Sequence, residues 1–273
     1  MDPSADPESL RLLADSVRTT MSLTSGAKLD AALADLGWLE MLDEMPQTAI
    51  PLVFRLLGET GAHAPLLNDV VLRAAGAEPG GTLPLPFTGG SWVVWERGDD
   101  ASSAIDGELP IRRVSAGDSV LQAALGAGRR ALGWWLVGSS RAMLSLARRH
   151  AVDRVQFGRH ISSFQAIRHR LAETLVAIEG AEATLDAATE QPEDADGLAS
   201  LLAKAAAGQA ALTAARHCQQ VLGGIGFTAE HELHHHIKRS LILDGLLGSA
   251  RELTRQAGAT LRTKGFAPRL AEL

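Results

Sequence analysis

The sequence predicts a mainly α-helical protein: an N-terminal helical segment, a short β or irregular segment, and a C-terminal antiparallel helical bundle. Three observations carry this. Apolar residues recur at spacings of three and four over long stretches. The Gly/Pro-rich texture that forbids long helices is confined to Glu78–Gly117. The long helical patterns are separated by short polar or glycine-rich turns, as antiparallel rods require. These divide the chain into 1–78, 79–117 and 118–273.

Composition sets the class before any motif is read. The 273 residues are 46% hydrophobic and 21% charged, an ordinary globular balance. A net charge of −6 argues against indiscriminate nucleic-acid binding, although a local basic patch can still hold one anionic cofactor. The single cysteine, Cys218, excludes an intramolecular disulfide framework and reads as a buried filler more readily than as a nucleophile. The acidic N-terminus lacks a signal-peptide pattern and no window reaches the apolar length of a membrane span, so a cytoplasmic protein without a membrane partner is expected.

In chain order, a frayed start precedes Leu29, Leu33, Leu36, Leu39 and Leu42, an amphipathic helical region with Gly37 as its weak point. Ala49-Ile50-Pro51 opens a second run, Gly61 and Pro65 break it, and Leu66–Ala75 resumes. Within the Gly/Pro-rich segment, Ser91–Trp95 and Ile111–Val114 suit short strands, which predicts a hairpin or irregular β segment resting on helices. Asp118 or Ser119, with Gln122 as a capping-box partner, starts a helix to about His150, on the order of 50 Å long.

Phe164, Ile167, Leu171, Leu175, Ile178 and Leu185 mark the next rod, and the acidic stretch Glu190–Gly197 reads as a solvated turn. An Ala-rich helix follows from about Leu198 to Leu222, stopped by Gly223-Gly224-Ile225-Gly226. Thr228 is a candidate cap for a helix through Leu233, Ile237, Leu241 and Leu243, and a last helix runs from about Ser249 to Arg262.

The corner Arg154–Gln165 compresses an arginine, an aromatic residue, a glycine turn and a helix start between two rods. Arginine offers a planar multidentate donor to phosphate, and glycines such as Gly223 and Gly224 let backbone N–H groups approach an anion. Plainer readings stand beside these: Gln165 can complete a capping box with Ser162, and the glycines can simply end a helix. His231 and His235 share a helical face at i and i+4, but no further acidic ligand is evident, so no metal site is assigned.

Two blocks carry a family resemblance: Asp153 to Glu173 (DRVQFGRHISSFQAIRHRLAE), and Gln220 to His234 (QVLGGIGFTAEHELH) followed by Ile237-Lys238-Arg239. Both resemble the C-terminal helical domain of acyl-CoA dehydrogenases, over about Ser119–Arg262. Leu33–Leu39 (LADLGWL) and Gly58–Leu67 (GETGAHAPLL) resemble the family's N-terminal helices more loosely. The resemblance implies FAD shared at a subunit interface. Arg154, Gln156 and Phe157 would meet its ADP and pyrophosphate portion, with Gln165 beside them, while Gln220, Gly223 and Gly224 would bring backbone close.

The departures from the family are equally specific. Only Glu78–Gly117 stands where the family has a β domain holding the isoalloxazine and much of the acyl-CoA. The two family positions for the glutamate base that abstracts the α-proton fall at Gly128 and about Gly248, and glycine cannot take a proton. Asp244 and Glu252 are the nearest substitutes, with surface pairing to Arg251 or Arg255 as the plainer role.

The resemblance therefore implies a catalytically degenerate subunit. A full-length acyl-CoA dehydrogenase-like partner would carry the base, the β domain and most of the acyl-CoA, as in the α2β2 enzymes of bacterial steroid side-chain oxidation. A self-sufficient shortened dehydrogenase or lyase using Asp244 or Glu252, and a cofactor-free helical assembly protein, are the alternatives.

Overall fold

A computed structural model describes residues 7–98, 109–190 and 197–267. The N-terminal helices are α1 (Pro7–Leu23), α2 (Ala27–Asp35), α3 (Trp38–Glu44), α4 (Pro46–Thr60) and α5 (Leu66–Ala74). Strands β1 (Pro84–Phe87), β2 (Ser91–Trp95) and β3 (Ile111–Val114) follow. Then come α6 (Gln122–Asp153), the two-residue strands β4 (Val155–Gln156) and β5 (Arg159–His160), α7 (Gln165–Glu190), α8 (Leu198–Leu222), α9 (Leu233–Gly245) and α10 (Ala250–Lys264). The mainly α expectation holds, and the C-terminal helices form the expected antiparallel bundle.

Several local readings change. The supposed frayed start is α1, anchored by buried Val17 and Met21 and by an Arg18–Glu59 ion pair of 2.7 Å to α4. Two anchors one turn apart are too short a pattern to reveal a helix. Gly37 is a true break, left-handed at φ 83° between α2 and α3. Pro46, not the Ala49–Pro51 run, opens α4, with Pro51 inside it. Neither Asp118 nor Ser119 caps α6: its N-cap is Leu121, with no side-chain cap. Thr228 bonds back to the Ile225 carbonyl at 2.9 Å, and Glu232 is the N-cap residue of α9.

The two expected strands are β2 and β3, joined by β1 in an antiparallel sheet of order β1-β2-β3. Two prolines hid β1, and they are tolerated because it is an edge strand. Arg97, just beyond β2, ties the sheet to the helices: it reaches Asp30 of α2 at 2.8 Å and also Asp69 of α5. Buried Asp69 in turn accepts from Trp38 Nε1 at 3.1 Å and Gly80 N at 2.8 Å. Trp95 of β2 stacks on Trp135 of α6 at 5.5 Å, and Phe54 of α4 meets Trp135 edge-on at 5.7 Å. The largest core cluster thus runs continuously through the N-terminal helices, the sheet and α6–α9.

Helix α8 is long and apolar enough, with the following turn, to cross a membrane by length and composition, contrary to the sequence reading. In the fold its most apolar stretch is 72% buried, enclosed by α6, α7, α9 and α10. Its small Ala side chains permit close helix approach, so the apolarity is accounted for by core packing.

Helices α4 and α6 meet backbone to backbone. A Cβ on Gly58 would fall on the Trp135 carbonyl and the Ser139 amide; one on Gly138 would fall on the Arg55 carbonyl. Neither obstacle is a flexible side chain, so a methyl group there must separate the helices. Gly138→Ala is expected to lower stability by about 1–3 kcal/mol or more, read as a fall in the urea midpoint at constant m-value. An unchanged midpoint would show that the crossing has slack.

Candidate functional site

The Arg154–Gln165 corner is a hairpin between α6 and α7. Arg154 ends α6, its N–H donating to the His150 carbonyl at 2.9 Å and its own carbonyl accepting from Ile161 N at 2.8 Å. Strands β4 and β5 pair as Val155–His160 and Gln156–Arg159, leaving Phe157 and Gly158 as the turn. Both have positive φ, 54° and 76°. A two-residue turn of this hand suits glycine and strains phenylalanine, yet the Phe157 ring is 91% exposed at the tip. Its only ring contact among the described residues is edge-on to Phe164 at 6.1 Å, and Arg159 lies 4.3 Å over that second ring.

The other implied residues are open as well. Arg154, Gln156, Gln165, Gln220 and Gly224 are exposed, and Gly223 is half-buried. Gln165 contacts His169 Nε2 at 3.3 Å, and its side chain makes no recorded bond to Ser162. Gly223 ends α8 at φ 64°, and a Cβ on Gly223 or Gly224 would meet nothing within 4 Å. The two blocks flank one small core cluster containing Ala151, Val221 and Leu222, with Ile161 and Ile167 packed against it. One end of the bundle therefore presents a guanidinium, three primary amides, an exposed ring and unobstructed glycine backbone outward. This donor set suits a diphosphate and a flat aromatic group, and the described residues leave it exposed.

Cys218 lies in the same cluster, where burial pushes its thiol up to about 12, as the filler reading requires. The histidines are locally engaged: His231 Nδ1 accepts from Leu233 N at 3.1 Å, and His234 Nδ1 donates to the His231 carbonyl at 2.8 Å. Among the described residues no group of three His, Cys, Asp or Glu is arranged to share a metal ion.

The two positions expected to hold a base are neighbours in space. A Cβ on buried Gly128 would lie 2.6 Å from Leu247 Cδ1 and 2.9 Å from Val71 Cγ2, and Leu247 immediately precedes Gly248. Leu247 has φ 56°, rare for leucine, and Gly248 has φ 100°. The backbone of this turn is fixed by Leu247 N donating to the Pro86 carbonyl at 2.8 Å. The Leu247 side chain, 1% exposed, occupies the space in front of Gly128.

Sequence reasoning missed two cations beneath this turn. Arg129 Nε donates to the Leu247 carbonyl at 3.2 Å. Fully buried Lys204 of α8 donates to the Asp244 carbonyl at 2.5 Å and the Gly248 carbonyl at 2.6 Å, and burial pulls its ammonium down to about 7. A lysine amid the apolar pattern Leu201, Ala205 and Gly208 was the available signal.

Asp244 and Glu252 bond to the start of α10, and neither pairs with Arg251 or Arg255 among the described ion pairs. Asp244 Oδ1 accepts from Ala250 N at 3.0 Å at the start of α10. Glu252 completes a capping box with Ser249 and accepts from Gly89 N and Thr88 Oγ1, each at 2.9 Å. These backbone donors, Gly89 first, pull its carboxyl down to about 2, far from the range of a general base at neutral pH. The cavities between α3 and α7, along α6–α7 and beside α9 have neither carboxylate in their walls.

A depressed folded pKa stabilises above the unfolded value of 4.5 and ceases to do so as pH falls toward about 2. Acid titration of wild type should therefore lose stability through that window. Glu252→Gln should start less stable at neutral pH and show a shallower decline. Parallel curves for the two proteins would contradict the assignment.

Comparison with known proteins agrees with this architecture. Residues 115–260 match the family model described as "Acyl-CoA dehydrogenase, C-terminal domain". The chain is 33% identical over 211 residues to acyl-CoA dehydrogenase FadE34 of Mycobacterium tuberculosis, covering 70% of this chain and 29% of that protein. It is 39% identical over 120 residues to acyl-CoA dehydrogenase IpdE2 of the same organism, covering 44% and 37%. It thus spans well under half the length of these curated relatives.

Among solved structures, a variant of the Tcur3481-Tcur3483 steroid ACAD superposes with TM-score 0.71 at 21% identity, covering 94% of this chain and 99% of that one. The ChsE4-ChsE5 complex from Mycobacterium tuberculosis gives TM-score 0.70 at 21% identity, covering 97% and 99%. At that identity the likeness concerns the fold. The family model, matching more than half of the chain, settles the affiliation: this chain belongs to the acyl-CoA dehydrogenase family.

Proposed function

We propose that this chain is a non-catalytic subunit of a heteromeric FAD-dependent acyl-CoA dehydrogenase, completing the flavin site of a full-length partner. The observation that carries the reading is a contrast. The residues suited to a flavin nucleotide are exposed apart from half-buried Gly223, whereas the interior position for a base is glycine faced by Leu247. A chain that dehydrogenated acyl-CoA alone would need the reverse: a carboxylate beside an enclosed cavity.

In this reading Arg154 supplies paired donors to the diphosphate, and Gln156, Gln165 and Gln220 supply amides around it. Phe157 would offer its exposed ring to the nucleotide, and Gly223 and Gly224 would let backbone approach it. FAD, when bound, supplies the hydride acceptor. Proton abstraction belongs to the partner, since Asp244 and Glu252 are committed to capping α10. The 79–117 segment stands in place of the middle β domain, so the partner also holds the flavin ring and most of the acyl-CoA. Likeness to the steroid ACAD structure supports a polycyclic acyl-CoA as the substrate of the assembled enzyme.

The test is expression of the chain alone and together with full-length acyl-CoA dehydrogenases of the same genome, with flavin absorbance measured on purified protein. Flavin and acyl-CoA oxidation are expected only in a co-purifying pair. Arg154→Ala in that pair should lose most of the flavin without loss of helical content. Yellow, active protein from the single chain would overturn the reading.

A further inference from the structure

One stretch of the chain opposes the charge of the whole. Residues 141–170 contain seven arginines and one carboxylate, Asp153, a formal +6 with histidines neutral, in a chain whose total is −6. Within this stretch α6 and α7 enclose a groove of about 490 Å³ with Leu144, Leu171 and Leu175 in its floor and Arg141, Arg148 and Arg168 on its rim. Val176, 71% exposed on the neighbouring turn of α7, extends the apolar surface.

The rim is matched at one end only. Arg141 bonds Glu179 at 2.9 Å and also Glu182, both on α7. Arg148 and Arg168 are exposed, and neither takes part in an ion pair among the described residues. An apolar floor beside two unmatched guanidiniums favours an occupant whose apolar side chains are flanked by carboxylates. A second copy does not fit. A two-fold interface lays a patch on its own counterpart, which would bring Arg148 and Arg168 against their own copies. Flavin does not resolve the mismatch, because Arg148 precedes Arg154 by six residues, about 9 Å along α6, and Arg154 is not in the groove wall.

We infer that the α6–α7 groove docks an acidic, apolar-faced helix of a different polypeptide, the catalytic partner of the assembly. The inference rests on the accessory-subunit reading and adds the chemistry of the mating surface, with Arg148 and Arg168 as its selective charges. Association of the two chains should then weaken with salt even without flavin.

The experiment uses the co-purifying pair from the flavin assay, stripped of flavin, with association measured by calorimetry at low and moderate salt. R148E/R168E should weaken binding by about tenfold or more and flatten its salt dependence. Arg154→Ala should associate like wild type in the flavin-free pair. Circular dichroism of the double variant separates lost docking from lost folding. If R148E/R168E folds and associates like wild type, the groove assignment fails while the accessory-subunit reading survives, because the pair still forms. If the wild-type chain alone forms a dimer that shields residues 144–175 from hydrogen exchange, the different-chain occupant is wrong.

Discussion

The backbone contact between α4 and α6 is the constraint on which the rest of the structure depends. Gly58 and Gly138 let the two helices approach without intervening side chains, and Trp135, one turn before Gly138, is thereby set between Phe54 and Trp95. That aromatic contact seats the small sheet on the bundle. The sheet then offers the Pro86 carbonyl to Leu247 and the Gly89 amide to Glu252, fixing the turn between α9 and α10. A close approach near residue 138 is thus linked, through ordinary packing, to the shape of the region where a dehydrogenase would hold its base.

That region is held together by hydrogen bonds within the chain. Asp244 and Glu252 cap α10, while Arg129 and Lys204 hold carbonyls of the same turn from below. Each carboxylate accepts from a backbone N–H, and at Glu252 the Gly89 and Ser249 donors keep the carboxyl ionised and a poor proton acceptor. With Leu247 facing Gly128, the interior is closed by hydrocarbon. The surface at the other end of the bundle has opposite properties: strained at Phe157, rich in donors, basic and open.

Much of this was legible in the residues. The long rods followed from apolar spacing, and β2 and β3 from short runs with β-branched residues, and tryptophans in β2, inside a Gly/Pro-rich segment. Other elements were not, for local reasons. The two core anchors of α1 are too few to show a period, and the prolines of β1 argue against a strand until its edge position is known. Capping at Asp118 or Ser119 failed because a short polar motif does not say which residue first takes helical geometry. Ionic groups separated by tens of residues, such as Arg97 with Asp30 and Asp69, leave no local pattern at all.

The sequence by itself determined the mainly α class, the family blocks, the glycines at 128 and 248, and the concentration of arginine between 141 and 170. All are local properties of composition and order. Tertiary structure alone decided what those features face. It turned Arg154, Phe157, Gln220 and Gly224 outward, set Leu247 before Gly128, and drew Asp244 and Glu252 into caps. The physical reason is that burial and hydrogen-bond partnership depend on the packing of distant segments, and these decide whether a carboxylate is a base or a cap and whether an arginine is matched or waiting.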